Sequence, residues 1–200
     1  MIEGFRLLPE RLSPVDQAGL LDEVLALLEE APLYRPVMPR SGRPLSVMMS
    51  NFGSLGWISD IAGYRYSDRH PVSGRPWPEI PARLLDLWNE TADYAAPPEA
   101  CLVNWYASEA RMGLHVDADE AADDAPVVSV SLGDRALFRL GGTKRSDRTR
   151  SMRLASGDVV VLGGASRRAY HGVDRIYAGS SRLVPNGGRI NLTPRRVSVP

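Results

Sequence analysis

The second half of the chain has the fewest options. From residue 101 onward the runs CLVNWY, PVVSVSL, ALFRL, DVVVLG and RINLTP follow one another, β-branched or aromatic, with Gly, Asp and Ser turns between them. Runs this short, bounded by turn residues, read as strands rather than helices. A chain of closely spaced strands has many edges, and folding two sheets over one another limits them. A double-stranded β-helix, or jelly roll, is therefore the expected architecture of residues 99–200.

The first half reads differently. Ser13 followed by Pro14 and Asp16 is a helix start, and DQAGLLDEVLALLEEA carries apolar residues at helical spacing, which predicts a helix over residues 14–31. Leu84, Leu85, Leu87, Trp88 and Ala92 fall largely on one side of a second expected helix, residues 81–95, which stops before Pro97 and Pro98. Between them lies a stretch rich in Pro, Gly, Ser and aromatics, expected to form strands and loops of a surface cover. The expectation is one α+β, mostly β domain of 200 residues: an N-terminal helical extension (1–44), a cover with its supporting helix (45–98) and the jelly roll (99–200). With 44% hydrophobic residues the chain can fill one core.

Charge excludes some roles. The chain has 24 basic and 24 acidic residues, so any attraction to a polyanion must be local. One basic stretch stands out, RLGGTKRSDRTRSMR, with six basic residues and one acid. It reads either as a phosphate-attracting segment or as a solvated hairpin. A single cysteine, Cys101, the absence of a signal-like opening and the lack of any long apolar run favour a reducing, cytoplasmic setting away from membranes.

Of three histidines, two have suggestive neighbours. His115 stands two residues before Asp117 in LHVDADE, and in an extended segment such residues share a face. His171, in AYHGV, is the available third ligand. Two imidazoles and one carboxylate on one face of an octahedron leave positions open for a co-substrate and O2, the arrangement of non-haem iron oxygenases. Alone, each motif also fits a hydrogen-bonded or surface residue. His70, in SDRHPVSG, reads as loop. Arg189 and Arg195 in RINLTPR share a face of an extended segment, and guanidiniums suit a dicarboxylate; a solvated basic strand is the bland alternative.

The series CLVNWYASEARMGLHVDADE, PVVSVSLG, GGTKRSDR, SGDVVVLGG, YHGV and RINLTPR, with SNFGSLGWISDIAGYRYS and GRPWPEIP upstream, resembles the AlkB family of nucleic-acid dealkylases. The resemblance spans about residues 45–195, with Pro194 departing from the aromatic common in that motif. It implies Fe(II) held by His115, Asp117 and His171, and 2-oxoglutarate held by Arg189, Asn104 and Tyr106, with Asn191 part of the same pattern. Arg195 would lie near the keto acid and Asp117. It further implies a nucleotide-recognition lid with Trp57, Tyr64 and Tyr66, a base contact from Asp119, and phosphate contacts from Lys144 and Arg145.

The implied reaction uses O2 to hydroxylate an N-alkyl carbon and release formaldehyde. N1-methyladenine and N3-methylcytosine in single-stranded DNA or RNA are the expected substrates, with duplex DNA a further candidate and no obligate protein partner. Two readings compete: an oxygenase acting on tRNA, protein or a small molecule, and a non-catalytic jelly-roll binding module.

Overall fold

Ser13 caps the first helix. In the computed structural model, which describes residues 2–200, its hydroxyl accepts from the backbone N–H of Asp16 (3.2 Å) and Pro14 takes the first helical position. This helix, α1 (Pro14–Glu30), buries Leu20, Leu21 and Val24. The second, α2 (Ala82–Thr91), buries Leu84, Leu87 and Trp88. It is shorter than periodicity predicts because Asp93 turns left-handed (φ 53°), and the Trp88 indole N–H donates to Ala96 O, folding the following segment back. No helix among the described residues is long and apolar enough to cross a membrane.

The described residues also form twelve strands: β1 (Phe5–Leu8), β2 (Met48–Gly53), β3 (Gly56–Asp60), β4 (Gly63–Ser67), β5 (Ala100–Tyr106), β6 (Met112–His115), β7 (Val127–Gly133), β8 (Arg135–Leu140), β9 (Arg150–Leu154), β10 (Val159–Leu162), β11 (His171–Tyr177) and β12 (Arg189–Arg195). Six form a larger sheet in the order β1-β10-β7-β12-β5-β2, and four form a smaller one, β6-β11-β8-β9; β3 and β4 pair as a separate hairpin. Neighbours in these sheets pair antiparallel. The jelly roll expected from the strand spacing is the observed fold.

Two boundaries differ from expectation. Residues 1–44 are not a purely helical extension, because β1 adds to the larger sheet beside β10, with Phe5 opposite Leu162. Its FRLL sequence is too short to stand out from surrounding loop text. Likewise residues 45–98 are not all cover: β2 pairs with β5 and belongs to the main sheet, leaving β3 and β4 as the hairpin that projects. His70 does lie in a loop, but as a core residue, 1% exposed. Its Nδ1 accepts from the N–H groups of Val72 and Ser73 and its Nε2 meets Pro32 O (2.8 Å), so it is fully occupied in closing that loop.

Alternation along the larger sheet sorts its two faces. Cys101 and Val103 of β5, Val159 and Val161 of β10, and Ile190 and Leu192 of β12 pack against α1 and α2 in one core. Their neighbours, Leu102, Asn104 and Tyr106, Val160 and Leu162, and Arg189, Asn191, Thr193 and Arg195, face the gap between the sheets and line a cavity of about 70 Å³. The helices therefore seal one face of the larger sheet, and the other face is left for chemistry.

Candidate metal and co-substrate site

The smaller sheet supplies both histidines. His115 ends β6, His171 opens β11, and the two are register partners, which brings their rings to 4.4 Å. Asp117 lies beyond the strand end, in an irregular segment, yet the three side chains offer ligand atoms all within 4.8 Å of one another. Asp117 Oδ1 is 3.8 Å from His115 Nε2 and Oδ2 is 3.7 Å from His171 Nε2. Each histidine has Nδ1 against a backbone carbonyl, Gly113 O at 2.9 Å and Ala169 O at 3.0 Å. That pairing puts the proton on Nδ1 and leaves the Nε2 lone pairs converging on the carboxylate, the tautomer a metal ligand needs. The donor set fits a divalent iron ion.

Electrostatics keep Asp117 and His171 in ligand form. Burial pulls His171 down to about 4, with His115 adding to the effect, so its imidazole is neutral at physiological pH. Burial alone would raise the Asp117 carboxyl, but Arg195, His171 and His115 outweigh it and hold it below the usual carboxylate range.

What holds Asp117 in place is a pair of residues with no motif of their own. Arg167, in the turn after a short 3-10 segment (Gly164–Ser166), is buried, and its guanidinium donates to Asp117 O (2.8 Å), Ala125 O (2.7 Å) and Glu120 Oε2 (3.1 Å). Glu120 also receives Arg195 Nη1 at 2.8 Å and the Tyr66 hydroxyl. The irregular ligand segment is thus stapled to the chain leading into His171. Sequence reasoning missed both residues. Glu120 sits in a run of acids that resembles any solvated loop, and the only signal for Arg167 is its place four residues before His171.

On β12 the two arginines diverge. Arg189, 1% exposed, donates to Ser131 Oγ (2.7 Å) and Asp134 O (3.4 Å), pairs with no carboxylate, and has Nε without a partner. Burial lowers it to about 10. Arg195 faces Asp117 at 3.3 Å and Glu120 at 2.8 Å, and these acids with Tyr66 outweigh its burial and raise it. Of the two, Arg195 is the one paired with the protein's own acids, and its Nε, like that of Arg189, has no hydrogen-bond partner among the described residues. Asn104 and Tyr106 line the same cavity, and Asn104 Oδ1 is unpartnered. Asn191 is occupied differently, donating to Ser129 Oγ (2.7 Å) and Val130 O (3.1 Å) and accepting from Thr193 and Asn104. It orients Asn104 within the scaffold.

The cover meets the site through acids. Trp57 of β3 stacks on Tyr64 of β4 (5.4 Å, 21°), its indole N–H donates to Asp119 Oδ2 at 2.7 Å, and Asn51 clamps its main chain at both N–H and C=O. On the far side, Arg145 donates to Leu114 O (2.9 Å) and lies 6.0 Å from the Tyr170 ring, while the Lys144 backbone N–H donates to Asp147 Oδ2 (3.0 Å) in a turn. Of the sequence-derived positions, the two histidines, Asp117, Asn104, Tyr106, Asn191 and both arginines of β12 line the cavity, whereas Trp57, Tyr64, Tyr66, Asp119, Lys144 and Arg145 lie outside its lining.

Comparison with known proteins agrees with this geometry. Residues 4–195 match the 2OG-Fe(II) oxygenase superfamily. An alpha-ketoglutarate-dependent dioxygenase AlkB homolog of Caulobacter vibrioides is 57% identical over 198 residues, covering 98% of this chain and 89% of the relative. Alpha-ketoglutarate-dependent dioxygenase AlkB of Escherichia coli is 41% identical, covering 88% and 83%. The solved structure of OsALKBH1 superposes with a TM-score of 0.78 at 31% identity, covering 98% of this chain and 99% of that one. By sequence and by fold, the chain belongs to the AlkB family of 2OG-Fe(II) oxygenases.

Proposed function

We propose that this dioxygenase removes alkyl groups from nucleobases by oxidation, with N1-methyladenine and N3-methylcytosine in single-stranded DNA or RNA as its substrates. Oxidative dealkylation of nucleic acid is the activity of an AlkB-type enzyme, and the observation that carries the substrate reading is the Trp57–Asp119 pair beside the two-histidine, one-carboxylate cluster. An aromatic face next to a carboxylate suits a base whose alkylation has left it cationic.

In this reading His115, Asp117 and His171 hold Fe(II), which with 2-oxoglutarate and O2 supplies the oxidising power for hydroxylating the alkyl carbon. Arg189 takes the distal carboxylate of 2-oxoglutarate through its free Nε and remaining donor capacity, with Asn104 and Tyr106 beside it. Arg195 keeps Asp117 ionised and oriented. Trp57 and Tyr64 give a face for stacking, worth about 1–3 kcal/mol per base. The hydroxylated product, N–CH2OH, breaks its C–N bond to give formaldehyde and the unmodified base. Lys144 and Arg145 lie where a backbone phosphate is attracted. The proposal includes a cytoplasmic setting, supported by one cysteine, buried and free.

The test is formaldehyde release from a panel of methylated DNA and RNA oligonucleotides with iron, 2-oxoglutarate and ascorbate. Release from cationic methyl bases is expected. Turnover of 2-oxoglutarate that no nucleic acid stimulates would move the substrate to a protein or small molecule.

A further inference from the structure

The cavity mouth has a second basic flank that neither the triad nor the β8–β9 loop accounts for. Residues 31–59 contain no Asp or Glu, but they contain Arg35, Arg40 and Arg43. This stretch folds into a small hairpin: Val37 bridges Pro44, Met38 N–H donates to Arg43 O (2.8 Å), and Leu45 N–H donates to Pro36 O (2.9 Å). Its tip carries Arg40, held left-handed at φ 66°. The hairpin is docked on the recognition cover, with Ser59 Oγ donating to Val37 O (2.6 Å) and the Tyr64 hydroxyl 3.9 Å from Met38 Sδ. Tyr64 is the residue stacked on Trp57. At the hairpin's base, Ser46 exchanges hydrogen bonds with the backbone of Arg111, which immediately precedes β6.

Arg35, Arg40, Arg43 and Arg111 are all exposed, and none makes an ion pair with a carboxylate among the described residues. Asp60, at the end of β3 on the cover, is taken by Arg65 at 2.6 Å. Both basic segments attach to β6, the edge strand that carries His115: this hairpin at the Arg111 end and Arg145 at Leu114. From Arg111 to Leu114 the chain takes three steps of about 3.3 Å, so the two points of attachment stand roughly 10 Å apart along β6.

We propose that the hairpin at residues 36–45 is a second phosphate-binding segment, and that a bound strand runs from Arg40 and Arg43 past Arg111 to Arg145. This rests on the nucleic-acid reading of the site. Its consequence is that backbone phosphates on both sides of the target base are held, which positions the strand without reading its sequence.

The test is binding of a fluorescein-labelled, unmethylated single-stranded oligonucleotide to the full chain, followed by anisotropy over a series of salt concentrations. Wild type is compared with the double variant Arg40→Gln/Arg43→Gln, whose fold is checked by its melting temperature. Each phosphate contact contributes about 0.7 to the slope of log K against log salt for a single strand. The double variant is expected to lose about 0.7 per contact removed, equally for oligonucleotides of different sequence. An unchanged slope in a variant whose wild type binds overturns this proposal and leaves the function standing. A wild type that binds no oligonucleotide at low salt overturns both.

Discussion

Arg189 and Arg195 stand on the same face of β12, are buried to nearly the same degree, and sit in opposite electrostatic surroundings. At one end the guanidinium is clamped by a hydroxyl and a carbonyl, makes no ion pair with an acid among the described residues, and is pushed down to about 10 by burial. At the other, two buried carboxylates hold the guanidinium charged. A buried cation without an anion is costly, so it marks a place where an anion is meant to arrive. A buried cation already surrounded by acids is part of the framework. The first surrounding is the one expected of a residue that binds an anion, and the second the one expected of a brace for the carboxylate beside it.

The largest effect separates the metal from both arginines. Asp117→Ala removes the carboxylate shared by the two histidines, and no iron-dependent turnover is expected; Fe(II) or a surrogate such as Co(II) should no longer raise the melting temperature. The comparison itself is tested next. Arg195→Met leaves Asp117 buried without its ion-pair partner and Glu120 with Arg167 alone, and a loss of about 3–5 kcal/mol is expected in chemical denaturation of the metal-free protein. Arg189→Met removes an unpaired buried charge, so the same measurement should show little loss or a gain. Equal losses at the two positions would break the distinction.

Arg189→Met should instead weaken 2-oxoglutarate binding by roughly 10- to 150-fold, from the 1.5–3 kcal/mol of a charged hydrogen bond, read by titration of the metal-loaded protein. Arg167→Met sharpens the account of the brace. It removes the staple on Asp117's own carbonyl, and metal affinity should fall about 10- to 100-fold, with less change in 2-oxoglutarate affinity once metal is saturating. The smallest effect lies on β5 opposite Pro194, at Cys101, whose thiol burial pushes up to about 12. Since its native value lies above the unfolded one, the residue stays a thiol as pH rises through 9, and iodoacetamide at pH 8–9 should label the denatured protein but not the native one.

Much of this was legible in the sequence because strand periodicity and chemistry coincide. In RINLTPR, the alternation that sends Ile190 and Leu192 to the helices also sends Arg189, Asn191 and Arg195 to the cavity. The ligands His115 and His171 could be named because histidine is rare here and β pairing makes them neighbours. What escaped was held by tertiary contact alone. Phe5–Leu8 is a strand only because β10 offers it an edge. Glu120 and Arg167 differ from surface residues solely in being buried against each other, 47 positions apart. The arginines at 189 and 195 look alike in charge and strand position, the resemblance alone separates them in sequence, and the packing of Asp117 and Glu120 onto one of them gives them different surroundings.

The central claim is that the two-histidine, one-carboxylate cluster and Arg189 together hold iron and 2-oxoglutarate. Its most direct test is an anaerobic titration of the protein with Fe(II) followed by 2-oxoglutarate, monitored by visible absorption. The account predicts a new band that requires both additions, is absent in Asp117→Ala, and needs more 2-oxoglutarate to saturate in Arg189→Met. No band in the wild type, or an undiminished band in Asp117→Ala, would contradict it.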